Sequence, residues 1–248
     1  MARRVYKNMK VYIGGYDFSS DHTEASLKVS VEPKEVKNLL SEAVPRLFGL
    51  HDFEFSQSGY REVDGFSAID DRMFDELGVS DVIASVCMNG GAAGETAYFI
   101  TGGRAQYQWG APIGDVISIN GAIIGQGIRA ARGIVLFNDT IEGDGSGNGT
   151  AVQLDAVSET QKVYVSAHCI NHRAMGAGSG VELRVESCAD SAFSGEVTER
   201  VAGTAFGDSG ATFETPIDGP VTDTYWRVSY DTGVGLVSAQ LVVVVGIQ

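Results

Sequence analysis

The stretch KVYVSAHCI, Lys162–Ile170, decides how the rest of the chain is read. Along an extended backbone successive side chains point to opposite faces of a sheet. Val163, Val165, Ala167 and Cys169 then share one apolar face, and His168 falls on the other, the face expected to meet solvent. That alternation predicts a half-buried strand, and the segments around it repeat the theme: TAVQLDAV, GVELRVES, GEVTERVA, ATFETPI, TYWRVSYD and SAQLVVVVGI. Seven or eight short strands between turn signals, within roughly a hundred residues, is the sequence form of a β-sandwich, immunoglobulin-like or carbohydrate-binding-like.

Upstream the pattern stays β-rich. Glycine is abundant, 32 of 248 residues, while proline is only 5, and apolar residues alternate or come in short runs. KVYIGGYDFSS predicts a strand, a Gly-Gly turn and a second strand start, and EASLKVSVE and HDFEFSQSGY alternate in the same way. Further strands are expected at 82–88, 96–100, 105–109, 116–124 and 134–137. AIDDRMFDELG predicts one helix, with Asp70 as its cap, Met73, Phe74 and Leu77 as the stripe that covers the N-terminal sheet, and Gly78 as its stop. The segment 33–50 interrupts the alternation with an apolar, helix-prone loop. The Gly, Asn, Asp and Ser-rich run from Asn138 to Val152 marks a domain boundary, dividing the chain into 1–141 and 142–248. The fold class expected is mainly β: an N-terminal barrel or sandwich with one flanking helix, then a C-terminal β-sandwich.

Charge narrows the partners. The net charge is −14, and both halves are negative, so no basic surface for gripping nucleic-acid phosphates is evident. Cys87, Cys169 and Cys188 are an odd count without CxxC spacing and fit buried thiols in a reduced compartment. No signal-like or membrane-spanning apolar run is apparent, so a cytosolic site of synthesis and no membrane partner are expected.

Several motifs imitate chemistry. AHC at Ala167–Cys169, Asp190, and GDSG at Gly207–Gly210 reproduce the His, Asp, Ser order of chymotrypsin-like proteases. In that fold, however, the His and the Ser come from two different barrels, and one small sandwich cannot supply both. His168 and Ser209 are therefore read as a strand residue and a turn residue, and no catalytic residue is expected. His168 and His172 on one strand would sit about 13 Å apart, too far to share an ion with Cys169. Glu142, Asp144, Ser146 and Asn148 lack the closing Glu of a calcium loop. Neither NGGAAGE nor INGAIIGQG has a dinucleotide or phosphate-loop order. No metal or cofactor is expected. Trp226 beside Tyr225 has two readings, a core residue of a late sandwich strand or an aromatic platform for sugar.

With chemistry set aside, five segments resemble one family: VYIGGYDFSSDHTEASLKVSVE (11–32), LFGLHDFEFSQSGY (47–60), ETAYFITGGRAQYQWGAPIGDVISINGAIIGQG (95–127), GNGTAVQLDAVSETQKVYVSAH (147–168) and GPVTDTYWRVSYD (219–231). They are similar to tailed-bacteriophage major tail, or tail-tube, proteins carrying an added C-terminal β-sandwich. The resemblance implies a virion structural protein that forms hexameric rings stacked into a tube, contacts other tail proteins and passes genomic DNA through its lumen without specific binding. An acidic wall would keep DNA from sticking. The sandwich would decorate the outside. A departure lies at Lys34–Arg46, where the family commonly has a Thr-Thr-aromatic-Gly stretch. Other assignments compatible with the residues are a capsid decoration or fibre protein, and a glycan-binding module using Tyr225 and Trp226.

Within the tail-tube reading, the apolar loop is the expected ring-to-ring contact, through Leu39, Leu40, Val44, Leu47 and Phe48, because an exposed apolar cluster otherwise invites aggregation. Replacing Leu39 and Leu40 with Asp should give folded subunits that do not polymerise. Tubes of normal length from that variant, seen by electron microscopy, would refute the assignment.

Overall fold

The computed structural model describes residues 8–20, 22–35, 46–60, 69–113, 115–126, 130–175 and 180–248. The chain runs through β1 (Lys10–Ile13), β2 (Tyr16–Asp17), β3 (His22–Glu35), β4 (Arg46–Tyr60), α1 (Ile69–Asp75), β5 (Val82–Cys87), β6 (Thr96–Gly110), β7 (Ser118–Gly125) and β8 (Ala131–Glu142). It continues as β9 (Gly145–Asn148), β10 (Val152–Gln153), β11 (Lys162–Ala174), β12 (Val181–Cys188), β13 (Thr198–Phe206), β14 (Gly210–Phe213), β15 (Ile217–Asp218), β16 (Tyr225–Thr232) and β17 (Leu236–Ile247). The fold is mainly β, as the sequence predicts.

Two compact units form, and their division is not at residue 142. The first gathers Met1–Ser20, Ile83–Phe99 and Ala131–Gln248; the second gathers Asp21–Val82 and Ile100–Ala130. The expected linker instead lies within the first unit. There β8 continues through Ile141 opposite Ala239 of β17, and β9 pairs with β16 at Ser229–Thr232. Its glycines serve turns: Gly143 and Gly145 have positive φ, which a residue without Cβ adopts freely.

In the first unit an antiparallel sheet in the order β14-β11-β17-β8-β6-β5-β1-β2 packs against a second, β10-β16-β12-β13. Between them lies a core that includes Val163, Val165, Ala167 and Cys169 of β11, the four residues placed on one face by the sequence. The other face of β11 is also covered. Ile170 joins Tyr12, Phe99, Val135, Val242 and Val244 in a separate core, and His168 is completely buried. This corrects the expectation that His168 meets solvent. The run LVVVV of β17 has the same cause: Leu241, Val243 and Val245 face one core while Val242 and Val244 face the other, so a doubly covered strand reads as continuous apolar sequence. Close strand approach requires Gly133, where a Cβ would sit 1.9 Å from the Val245 carbonyl oxygen.

The second unit is built on the sheet order β3-β4-β7-β6, every pairing antiparallel. The stretches 96–100 and 105–109, expected as two strands, are one long β6 that gives its first residues to β8 and its later ones to β7. The helix forms where the sequence places it, but it packs differently. Met73 is buried, whereas Phe74 is 61% and Leu77 47% exposed. The helix is only seven residues long, and Asp70 is buried along with Met73.

Candidate assembly surface

The sheet of the second unit has two chemically opposite faces, and register shows why. Leu27, Phe55, Ile123 and Arg104 lie in one row across its four strands. Ser26, Ser56, Ala122 and Gln106 lie in the adjacent row, which the pleat turns to the other side. Helix α1 covers the first face. The Met73 side chain enters the space left by Gly121, where a Cβ would come within 2.2 Å of the methionine Cε. The fully buried Arg104 side chain donates from Nε and Nη2 to one carboxylate oxygen of Glu76, at 3.2 and 2.5 Å. At the other end of the helix the Tyr107 hydroxyl donates to the Asp70 carboxylate. The helix is thus fastened at both ends. His22, at the start of β3, is held neutral: burial, with the Arg104 charge added, lowers its pKa to about 4.

On the opposite face Glu24, Ser26, Ser56, Ser58, Gln106 and Asn120 line a shallow cleft of about 230 Å³. Short hydroxyls and amides line this cleft, and Lys28 and Glu54, paired in the next row of the same face, add one charge of each sign.

Around the covered face, apolar side chains remain in solvent. Phe74 packs edge-on against Tyr107, ring centroids 5.5 Å apart, and is still mostly exposed. Trp109, two residues along β6 from Tyr107, is 58% exposed, and Ile113 and Val116 stand exposed on the turn that follows. Val29, Phe48, Leu77 and Val79 are exposed elsewhere in the unit, and Tyr60 and Ile124 are exposed in the register of the opposite face. Among the described residues, ten of the fourteen exposed large hydrophobics belong to the second unit, although it holds the smaller share of the chain. The second unit therefore leaves more large apolar side chains in solvent than the first.

The residues singled out from sequence fall as follows. Leu39, Leu40 and Val44 lie outside the described residues. Leu47 is in β4 opposite Lys34, and Phe48, opposite Pro33, is 75% exposed. Trp226 is fully buried in the core between the two sheets of the first unit, so its ring has no face to offer a sugar and Tyr225 stands without the stacking partner a platform needs. His168 and Ser209 have separate partners. The imidazole bonds Ser85 and Gly14, whereas the Ser209 hydroxyl, just before β14, accepts from the His172 backbone N–H of β11 at 2.9 Å. Asp190 spends its carboxylate on its own loop, accepting from the backbone N–H groups of Ala192, Ser194 and Gly195, which holds its pKa below the usual carboxylate range. The thiols of Cys87 and Cys169 are buried and pushed up to about 12, chiefly by desolvation. Among the described residues no His, Cys, Asp and Glu group has the arrangement to hold a metal ion, and no helix is long and apolar enough to cross a membrane.

Sequence reasoning passed over Trp109, Ile113 and Val116. A signal was present: GAPIGDV carries Pro and Gly turn residues, and a turn flanked by a Trp and holding an Ile and a Val is more apolar than solvent contact requires.

Neither a protein-family model nor a curated protein matches the chain. Among solved structures, it is similar to the Dit protein of phage SPP1, described as a paradigm of the hub adsorption apparatus in phages infecting Gram-positive bacteria. That match has 8% identity and a TM-score of 0.34, covering 98% of this chain and 100% of the other. It is also similar to the structure of infectious bursal disease virus, Gt strain, at 9% identity and a TM-score of 0.29, covering 92% of this chain and 72% of the other. Likenesses at this level carry no functional argument.

Removing one partner of a buried ion pair leaves the other charge uncompensated. Glu76→Ala should therefore cost about 3 kcal/mol of stability, read as a lowered denaturation midpoint. An unchanged midpoint would mean that Arg104 does not hold the helix.

Proposed function

We propose that this protein is a structural component of a virion that self-assembles into rings through its second unit, and that stacked rings form a tail tube through which DNA passes. The observation that carries the proposal is the concentration of exposed apolar side chains in that unit. Topology supports the same reading. Among the described residues β3 pairs only with β4, and the later half of β6 pairs with β7, so these two segments bound the four-stranded sheet on opposite sides. An edge strand left in solvent is a template for pairing.

The even strand number sets the geometry. Three antiparallel pairings separate β3 from β6, so the two edges run in opposite directions. A second copy related by rotation about an axis along the strands would lay its β3 beside β6 of the first and continue the antiparallel alternation. Heterologous contacts of this kind close into rings when the rotation divides the circle. The polar face lined by Ser26, Ser56, Ser58 and Asn120 suits the inside of such a ring. Small uncharged groups dominate it, and Glu24 and Glu54 outnumber Lys28, so the face offers DNA no net positive charge, in keeping with a chain of net charge −14.

Phe74 and Trp109 flank the β6 edge on the helix side and supply the contact's apolar area. Sedimentation velocity should show wild-type protein associating as concentration rises, while Phe74→Glu with Trp109→Glu stays monomeric with an unchanged melting temperature. Equal association of both proteins would reject this surface, and a wild type that is monomeric at every concentration would reject ring formation as an intrinsic property.

A further inference from the structure

The first unit buries a polar cluster with no part in the assembly reading. The His168 ring is fully buried between β1, β5 and β11. Its Nδ1 lies 2.8 Å from the carbonyl oxygen of Gly14, in the turn joining β1 to β2. A carbonyl only accepts, so Nδ1 carries the hydrogen, and Nε2 is left to accept from the Ser85 hydroxyl at 2.8 Å. Ser166 sits 3.3 Å from Ser85 and completes the cluster. One imidazole therefore ties the N-terminal turn to β11 and β5. The turn is tightly seated, since a Cβ on Gly15 would lie 2.4 Å from the Gly210 nitrogen.

We propose that His168 is an acid-sensitive latch that holds the β1–β2 hairpin on the first unit and releases it when the imidazole is protonated. In the neutral ring both nitrogens are satisfied. A proton taken from solvent at Nε2 removes the acceptor that Ser85 uses and places a cation in a closed interior.

The titratable groups around it give that cation no counter-charge. Tyr12 of β1, its ring centroid 6.1 Å from the imidazole, is held protonated far above the ordinary range, chiefly by burial. Cys87 of β5 is likewise protonated, with its pKa near 12. Asp17 of β2 is engaged by Lys10 and by the Ser19 backbone and hydroxyl. Asp208, before β14, accepts from the Ser209 N–H. Desolvation accordingly lowers the His168 pKa from 6.5 to about 4.

The sign follows from linkage. With the hairpin released, the imidazole returns to its ordinary pKa and binds a proton more readily than in the latched state. Latching is therefore complete above pH 6.5, weakens as pH falls toward 4, and changes no further below that. The opening equilibrium should rise about tenfold per pH unit, or roughly 300-fold across the window.

Hydrogen exchange, corrected for intrinsic rates, tests this on the full chain. Residues 10–17 should lose protection between pH 6.5 and 4 before β12 and β16 do. In His168→Asn, whose amide nitrogen stands where Nδ1 does and can donate to Gly14 but cannot take a proton, that selective loss should vanish. A wild-type hairpin whose protection does not change with pH, or a variant that opens over the same range as wild type, would overturn the latch. If the variant does not fold, the imidazole resonances of wild type decide: a His168 that titrates near 6.5 in the folded protein contradicts the proposal, and one that stays neutral to about pH 4 supports it.

Discussion

A β-sheet that does not close on itself ends in two edge strands, and a protein must shorten, charge, cover or pair them. In the second unit one bounding strand is fourteen residues long and is followed across the sheet by three antiparallel neighbours. Helix α1 covers one face and leaves both edges of the sheet alone. The Arg104–Glu76 pair, the Tyr107–Asp70 bond and the Met73–Gly121 fit hold the helix there. Because the helix is short, it cannot also bury Phe74 and Leu77. Uncovered sheet edges and uncovered apolar side chains thus arise from one arrangement.

The first unit obeys a different constraint. Its central strands β11 and β17 are covered on both sides, by the core facing β12 and β16 and by the core around Tyr12 and Phe99. Few large apolar side chains are left in solvent there: Met175, Val197, Val234 and Val237 among the described residues. A unit that satisfies its own apolar surface has little thermodynamic reason to polymerise. Among the polar groups buried inside it, His168 is paired on both ring nitrogens.

Much of this was legible in the residues, and the failures have physical causes. The phase of KVYVSAHCI identified one core face correctly because alternation is a property of the single strand. It could not show that the opposite face is covered too, since that covering comes from β1 and β5, 75 or more positions away in sequence (Cys87 to Lys162 at the nearest). Asp70, expected as the helix cap, lies inside the first turn, and Gly78 follows the last helical residue by three; how many apolar residues the helix buries depends on the space beneath it, which Gly121 sets. The Gly-rich run at 138–152 contains genuine turns, yet turns also occur within a compact unit, and here β8 and β9 carry the chain through without leaving it. Trp226 went to the core because late sandwich strands are covered on one face. The cluster of Trp109, Ile113 and Val116 was visible as sequence, but only exposure distinguishes a surface side chain from a buried one.

The central claim is that the chain carries within its second unit the information to assemble. Electron microscopy of purified, concentrated protein in negative stain tests it most directly. Rings in which each copy contributes one four-stranded sheet to a common wall, single or stacked into hollow tubes, are the predicted result. Fields of separated monomers, or compact trimers with no central opening, would contradict it.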